Sequence, residues 1–126
     1  MFRRLQPKAV PESQAPFSQV VTDDMYAHFA GLVAADFPEG QAVLGDVYQE
    51  TLAVMTAIGA MLEEIGLSFE RVVRTDVHLA VLGDFDEMDR AYREFFQAGK
   101  YPARTTTQSP GLFGDSRVEV TCMAPL

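Results

Sequence analysis

The chain has 126 residues, 48% apolar and 22% charged, the balance of an ordinary globular domain with one sizeable core. Its net charge of −8 works against sequence-independent nucleic-acid binding, which needs a basic footprint. Cys122 is the one cysteine, so no intrachain disulfide can form, and the two histidines, His28 and His78, fall in separate predicted strands without a metal-ligand cluster.

Met1 to Ala15 is turn-rich, with Pro7 and Pro11, and either adds a short edge strand or stays a flexible arm. Arg3 and Arg4 are followed by no apolar core, so the segment does not read as a signal peptide. No run approaches the ~18 apolar residues of a membrane span, and the expectation is a soluble, cytoplasmic protein. Phe17 to Val21 is a candidate strand, Thr22-Asp23-Asp24 a turn, and Met25 to Ala34 the partner strand of a hairpin. Gly31 lies inside that second strand. A glycine there marks a bulge, a close approach to the backbone, or simply a weak strand end.

Asp36 to Gly40, with Pro38 in its middle, reads as a loop. Asp46 reads as a helix N-cap. Val47, Val54, Met55, Ile58, Met61, Leu62 and Ile65 then form one apolar face, and Gly66 ends the helix. Met55, Met61 and Met88 are read as core fillers. Val72 to Val81 is the clearest strand: Val73, Thr75, Val77, Leu79 and Val81 share one face, and Arg74, Asp76 and His78 the other. That charged face is either solvated or paired between subunits. Asp84 and Glu87 resemble a capping box opening a second helix, whose stripe is Phe85, Met88, Tyr92, Phe95 and Phe96.

Tyr101-Pro102 forces an extended entry into a strand containing Arg104 and the β-branched Thr105, Thr106 and Thr107. Turn chemistry follows at Ser109-Pro110-Gly111 and Gly114-Asp115. Arg117 to Met123 alternates again, with Glu119 opposite in sense to Val118, Val120 and Cys122. The order is strand, strand, helix, strand, helix, strand, strand: an α+β two-layer sandwich with two helices on one face of the sheet. Apolar residues on the uncovered face would favour oligomerisation.

On this reading Arg104 and Glu119 meet across one edge of the sheet. A guanidinium there would bind a carboxylate bidentately, and a neighbouring carboxylate would orient a water or act as general base. The alternative is a plain cross-strand salt bridge worth roughly 0–1 kcal/mol.

Pro102-Ala103-Arg104, then Leu112 and Val118-Glu119-Val120 near the end of the chain, resembles the Rid/YjgF family, also called the L-PSP endoribonuclease family. The likeness runs from about Ala15 and takes in Pro16, Gly31, Asp46-Val47, Gly66-Leu67, Val73, Thr75-Asp76-Val77, Asp84-Phe85, Tyr92 and Glu94-Phe95-Phe96. It implies a mixed sheet in a chorismate-mutase-like fold, assembled as a homotrimer with pockets between subunits. It also implies hydrolytic deamination of imines or enamines, such as 2-aminoacrylate or 2-iminopropanoate, to a keto acid and ammonia. Arg104 would clamp the substrate carboxylate and Glu119 would position the water. Backbone groups near Gly31 and Thr106 would bind the imine nitrogen or the water. An imine carbon is already electrophilic, so positioning and electrostatics suffice without a metal or organic cofactor.

Several positions depart from the family's usual choices. Phe17 stands in place of a phenol, Ala30 in place of a small hydroxylated residue, Thr106 in place of a cysteine, and Asp89 in place of an amide. Thr105 and Thr107 also differ. Losing hydrogen-bond donors while keeping the arginine points to a changed ligand rather than a lost site. Two further readings are a non-catalytic small-ligand-binding or chaperone-like trimer and, against the acidic charge, an endoribonuclease.

Overall fold

The computed structural model describes all residues from Met1 to Leu126. Seven strands form one mixed sheet: β1 (Arg3–Leu5), β2 (Val20–Thr22), β3 (Tyr26–Phe29), β4 (Leu32–Val33), β5 (Arg74–Leu79), β6 (Ala103–Gln108) and β7 (Val118–Pro125). The spatial order is β1-β2-β3-β7-β5-β6, with β4 also on β7. Only β5 and β6 run parallel. Such a pair needs a crossover, and helix α3 (Phe85–Tyr92) lies within it. With α2 (Val47–Glu64), α3 covers one face of the sheet; a short α1 (Pro38–Gln41) precedes them. The α+β architecture agrees with the sequence reading, and the order from α2 onward does too; before it, the strand expected over Met25 to Ala34 is divided into β3 and β4, the strand expected from Phe17 is shorter, and β1 and α1 are added.

Helix α2 begins where expected. Asp46 accepts a hydrogen bond from the Gln49 N–H at 3.1 Å, and Gly66, at φ +78°, follows the last turn in the left-handed conformation. Val54, Met55, Ile58, Met61 and Leu62 are buried, together with Met88 and Tyr92 of α3, against Val77, Leu79, Val118, Val120 and Cys122 of the sheet. Met55, Met61 and Met88 are core fillers, fully enclosed. Glu50, which the apolar pattern of α2 does not single out, is buried too. Its carboxylate accepts from the Gly45 N–H at 2.7 Å and the Arg117 N–H at 2.8 Å, tying the loop before α2 to the start of β7.

Three local expectations are corrected. First, the residues around Pro38 are helical: Pro38 occupies the first helical position, where its missing N–H costs nothing. Second, Asp84 makes no capping bond. Its Oδ2 instead accepts from Arg117 Nη2 at 2.7 Å and Nε at 3.0 Å, and a charged donor outcompetes a backbone one. Third, Val73 and Val81 are 44% and 50% exposed, because the β5 ladder stops at Arg74 and Leu79; Val72 enters the core as the chain leaves the turn at Phe69–Arg71. The sheet face without helices carries the charged row that the alternation of β5 indicates. Arg74 Nη2 donates to Asp76 Oδ1 at 2.9 Å and to Thr105 Oγ1 at 2.8 Å, and His78 Nδ1 lies 2.8 Å from Thr107 Oγ1.

The first fifteen residues include the edge strand β1, which pairs antiparallel with β2, and Glu64 of α2 accepts from the N–H groups of Lys8 and Ala9 at 2.8 and 3.0 Å. The β2–β3 turn centres on Asp23, whose Oδ1 accepts from the Met25 and Tyr26 N–H groups at 2.7 and 2.6 Å. Its hydrogen bond with His28, then those two backbone bonds, hold its pKa down at about 2. No helix is long and apolar enough to cross a membrane. No group of His, Cys, Asp or Glu side chains is arranged to hold a metal ion.

Cys122 is 4% exposed, and burial pushes its thiol pKa up to about 12. A buried thiol of this kind is inert because the thiolate is the reactive form. Iodoacetamide at neutral pH is therefore expected to leave the folded protein unlabelled and to modify Cys122 only in denaturant, as read by intact mass. Labelling of the folded protein at the rate of a free thiol would contradict this packing.

Candidate functional site

Strand β6 is the outer edge of the sheet, and Arg104 stands on it in register with Thr75 of β5, itself in register with Cys122 of β7. Thr75 and Cys122 are buried under the helices, so Arg104 faces the helix layer as well. Its Nη1 lies 2.7 Å from Asp89 Oδ1 on α3, with 21% and 22% of the two side chains exposed. The contact is one of charge without hydrogen-bond alignment, and Asp89 Oδ1 is buried with no hydrogen-bond partner. The guanidinium carbon is 4.9 Å from the ring centre of Tyr92 and 5.4 Å from that of Phe85.

Asp89 and Tyr92 share one side of α3 because they are three residues apart. Tyr92 is held by its hydroxyl, 2.8 Å from Thr75 Oγ1. Burial raises its pKa, against the opposing effects of that hydrogen bond and of the Arg104 charge. The phenol is thus a neutral platform beneath the cation. Asp89, Tyr92, Arg93, Tyr101, Pro102 and Arg104 line a cavity of about 320 Å³. Thr106, two residues along the same strand face, has a buried Oγ1 without a hydrogen-bond partner.

The remaining candidate residues lie elsewhere. Glu119 of β7 is in register with His78 and with Val33 of β4. Gly31 lies against it: a Cβ there would come within 2.8 Å of Glu119 Cδ and 2.9 Å of Oε2. The strand that carries Gly31 is bulged. Phe29, Ala30 and Gly31 stand opposite only Thr121 and Cys122, between the His28–Met123 and Leu32–Val120 pairs. The Ala30 N–H donates to the Gln19 carbonyl at 2.9 Å, two residues beyond Phe17, which is 50% exposed.

One expectation is therefore corrected. Arg104 and Glu119 do not meet across adjacent strands. β5 lies between them, and the register places Arg104 on the helix-covered face and Glu119 on the bare one. Within one chain, Arg104, Asp89 and Thr106 form one group, and Glu119 and Gly31 another beside Ala30.

A family model described as endoribonuclease L-PSP matches residues 7–126. The chain belongs to that family. A relative from Mus musculus named 2-iminobutanoate/2-iminopropanoate deaminase is 36% identical over 114 residues, covering 90% of this chain and 84% of the relative. A solved structure from Entamoeba histolytica, described as a putative endoribonuclease L-PSP, superposes with a TM-score of 0.88 at 26% identity, covering all of both chains. A Rid-family structure from Yersinia pestis superposes over the whole of both chains with a TM-score of 0.90, and at 20% identity it speaks for the fold alone. This is the Rid family that the Pro-Ala-Arg and Val-Glu-Val segments resemble.

The sequence reading assigned Tyr92 to an apolar stripe and did not place Phe85, Arg93 or Tyr101 beside Arg104. The three-residue step from Asp89 to Tyr92 was the available signal. Gly31→Ala is expected to push aside the Glu119 carboxylate, the mobile end of a side chain, at a cost under about 1 kcal/mol. A crystal structure and a melting curve of the variant check this; an unmoved Glu119 would show that Gly31 is not what leaves it room.

Proposed function

We propose that the chain hydrolyses small 2-imino acids, and the enamines that tautomerise to them, to a keto acid and ammonia. The observation that carries this reading is Arg104: a half-buried guanidinium at the wall of a small cavity, none of whose N–H groups makes an aligned hydrogen bond to the protein. A guanidinium so placed suits the carboxylate of a small organic acid. The naming of the mouse relative as an imine deaminase supports the reaction class.

In the proposed reaction the substrate carboxylate docks on Arg104 and Glu119 holds a water at the imine carbon. The water oxygen attacks that carbon as Glu119 takes its proton. The resulting carbinolamine takes that proton on nitrogen, and as the C–N bond breaks its hydroxyl gives up a proton to the Glu119 carboxylate, so ammonia leaves and the C=O of the keto acid forms. Because Arg104 and Glu119 lie on opposite faces of one sheet, Glu119 would come from a second copy of the chain. A threefold assembly with the site between neighbours supplies such a copy, and the resemblance implies that arrangement. The net charge of −8 weighs against an RNA substrate.

In a coupled assay with a dehydratase that releases 2-aminoacrylate, Arg104→Ala is expected to lower kcat/KM by about a hundredfold or more. Glu119→Gln is expected to lower kcat with little change in KM. A binding protein without catalysis would instead show no rate for any variant while retaining Arg104-dependent affinity. An Arg104→Ala variant with an undiminished rate would remove the proposal. Mixing the two inactive variants after dissociation is expected to restore part of the activity, since some sites then combine an intact Arg104 with an intact Glu119. No recovery in assemblies shown by mass to contain both variants would remove the reading of a site shared between copies.

A further inference from the structure

We infer that Asp89 and Arg104 act as one unit that selects the protonated, zwitterionic iminium form of the substrate over the neutral-nitrogen enamine and over the keto-acid product. The inference rests on the proposed carboxylate-binding role of Arg104 and adds the charge state that the site accepts.

Three observations carry it. Asp89 Oδ1 lies 2.7 Å from Arg104 Nη1, so the two side chains form an ion pair, and both line the cavity. Asp89 Oδ1 is buried against Arg104 while the side chain as a whole keeps 22% of its surface exposed, so a ligand in the cavity meets the exposed remainder of the carboxylate. A chain of net charge −8 repels a bare anion more than a ligand of zero net charge.

A 2-iminium acid carries its cationic nitrogen and its carboxylate on adjacent carbons. The site offers a cation and an anion side by side in the complementary order. The iminium N–H would donate to the exposed part of the Asp89 carboxylate, while the substrate carboxylate pairs with the Arg104 guanidinium. The reaction is R–C(=NH2⁺)–COO⁻ + H2O → R–CO–COO⁻ + NH4⁺. Hydrolysis thus removes the positive nitrogen and leaves a monoanion next to Asp89. Like charges in close contact disfavour the product, which promotes its release. The enamine also lacks the positive charge. Binding therefore favours the tautomer whose carbon water attacks. Asp89 is in this sense a specificity residue. The amide usual at this position would donate as well as accept, and would not distinguish the two charge states so sharply.

The test uses two stable probes of matched length, 2-aminobutanoate as the zwitterion and 2-oxobutanoate as the monoanion, titrated calorimetrically into the assembled protein. The wild type is expected to prefer the amino acid by about tenfold. In Asp89→Asn, checked for an unchanged melting curve, 2-aminobutanoate should weaken about tenfold and 2-oxobutanoate should tighten, so that the preference inverts. Equal tightening of both probes would overturn the inference, for Asp89 would then merely screen Arg104. Unchanged affinities in Asp89→Asn would overturn it as well. Arg104→Gln is expected to abolish binding of both. Undiminished binding there would overturn the carboxylate-clamp reading itself, whatever Asp89 does.

Discussion

Alternation along the β5–β6–β7 ladder decides where the charges of this chain go. In a ladder, residues in register share a face and their neighbours take the other. Arg104, Thr75 and Cys122 form one such row, and Thr107, His78 and Glu119 another. The rows are three residues apart, an odd number, so they emerge on opposite sides of the sheet. No rotamer overcomes this, because the intervening strand β5 is packed under helices on one side and bonded to both neighbours. Two residues that the sequence reading brings together thus stand on opposite faces of the sheet within one chain. One sits on the edge strand against α3; the other sits at the bulge on the bare face.

The bulge does similar work for the other half. Phe29 and Leu32 are both buried in the core, although an odd step separates them. An unbroken strand would turn one of them outward. The extra residue between the paired segments restores the parity, and it lets Gly31 approach the Glu119 side chain more closely than any residue with a Cβ could. One local irregularity therefore closes the core and shapes the surroundings of the carboxylate.

The fold was legible where the period of the pattern matched the element. The α2 stripe, its Asp46 cap and the alternation of β7 all follow from local chemistry, and local chemistry is what a single sequence displays. The misreadings share a different cause. Asp84 looked like a cap because the sequence cannot show that Arg117, 33 residues away, competes for its carboxylate. Nothing local marks Glu50 as buried, because its two backbone partners come from a preceding loop and a distant strand. The Arg104–Glu119 adjacency failed because the strand that separates them is earlier in sequence than both. Strand order is a non-local property, and turn signals between consecutive strands do not encode it. The resemblance singled out candidate residues but does not encode which side of the sheet each one reaches.

Under the proposed function, Phe17, Ala30, Thr106 and Asp89, four of the positions where the resemblance implies other residues, would fall on both parts of a site shared between copies and would change it in one direction. Phe17 and Ala30 are on the chain segments that flank the Glu119 half, where each lacks a hydroxyl. Thr106 and Asp89 lie with Arg104, where a thiol is absent and a carboxylate replaces an amide. Hydrogen-bond donors decline while fixed charge increases. Directional donors hold a neutral polar group in one pose and discriminate by shape. Opposed charges in a cavity walled by Tyr92 and Tyr101, shielded on one side by aromatic rings, act with less directional demand and discriminate by charge state. A ligand site altered this way tolerates variation in the substrate side chain, since little in it depends on a single hydroxyl. It pays for that tolerance with sensitivity to whether the reacting nitrogen is protonated. Under the proposed reaction, protonation is also what makes the carbon electrophilic, so the property that the pocket reads is the property that the chemistry needs.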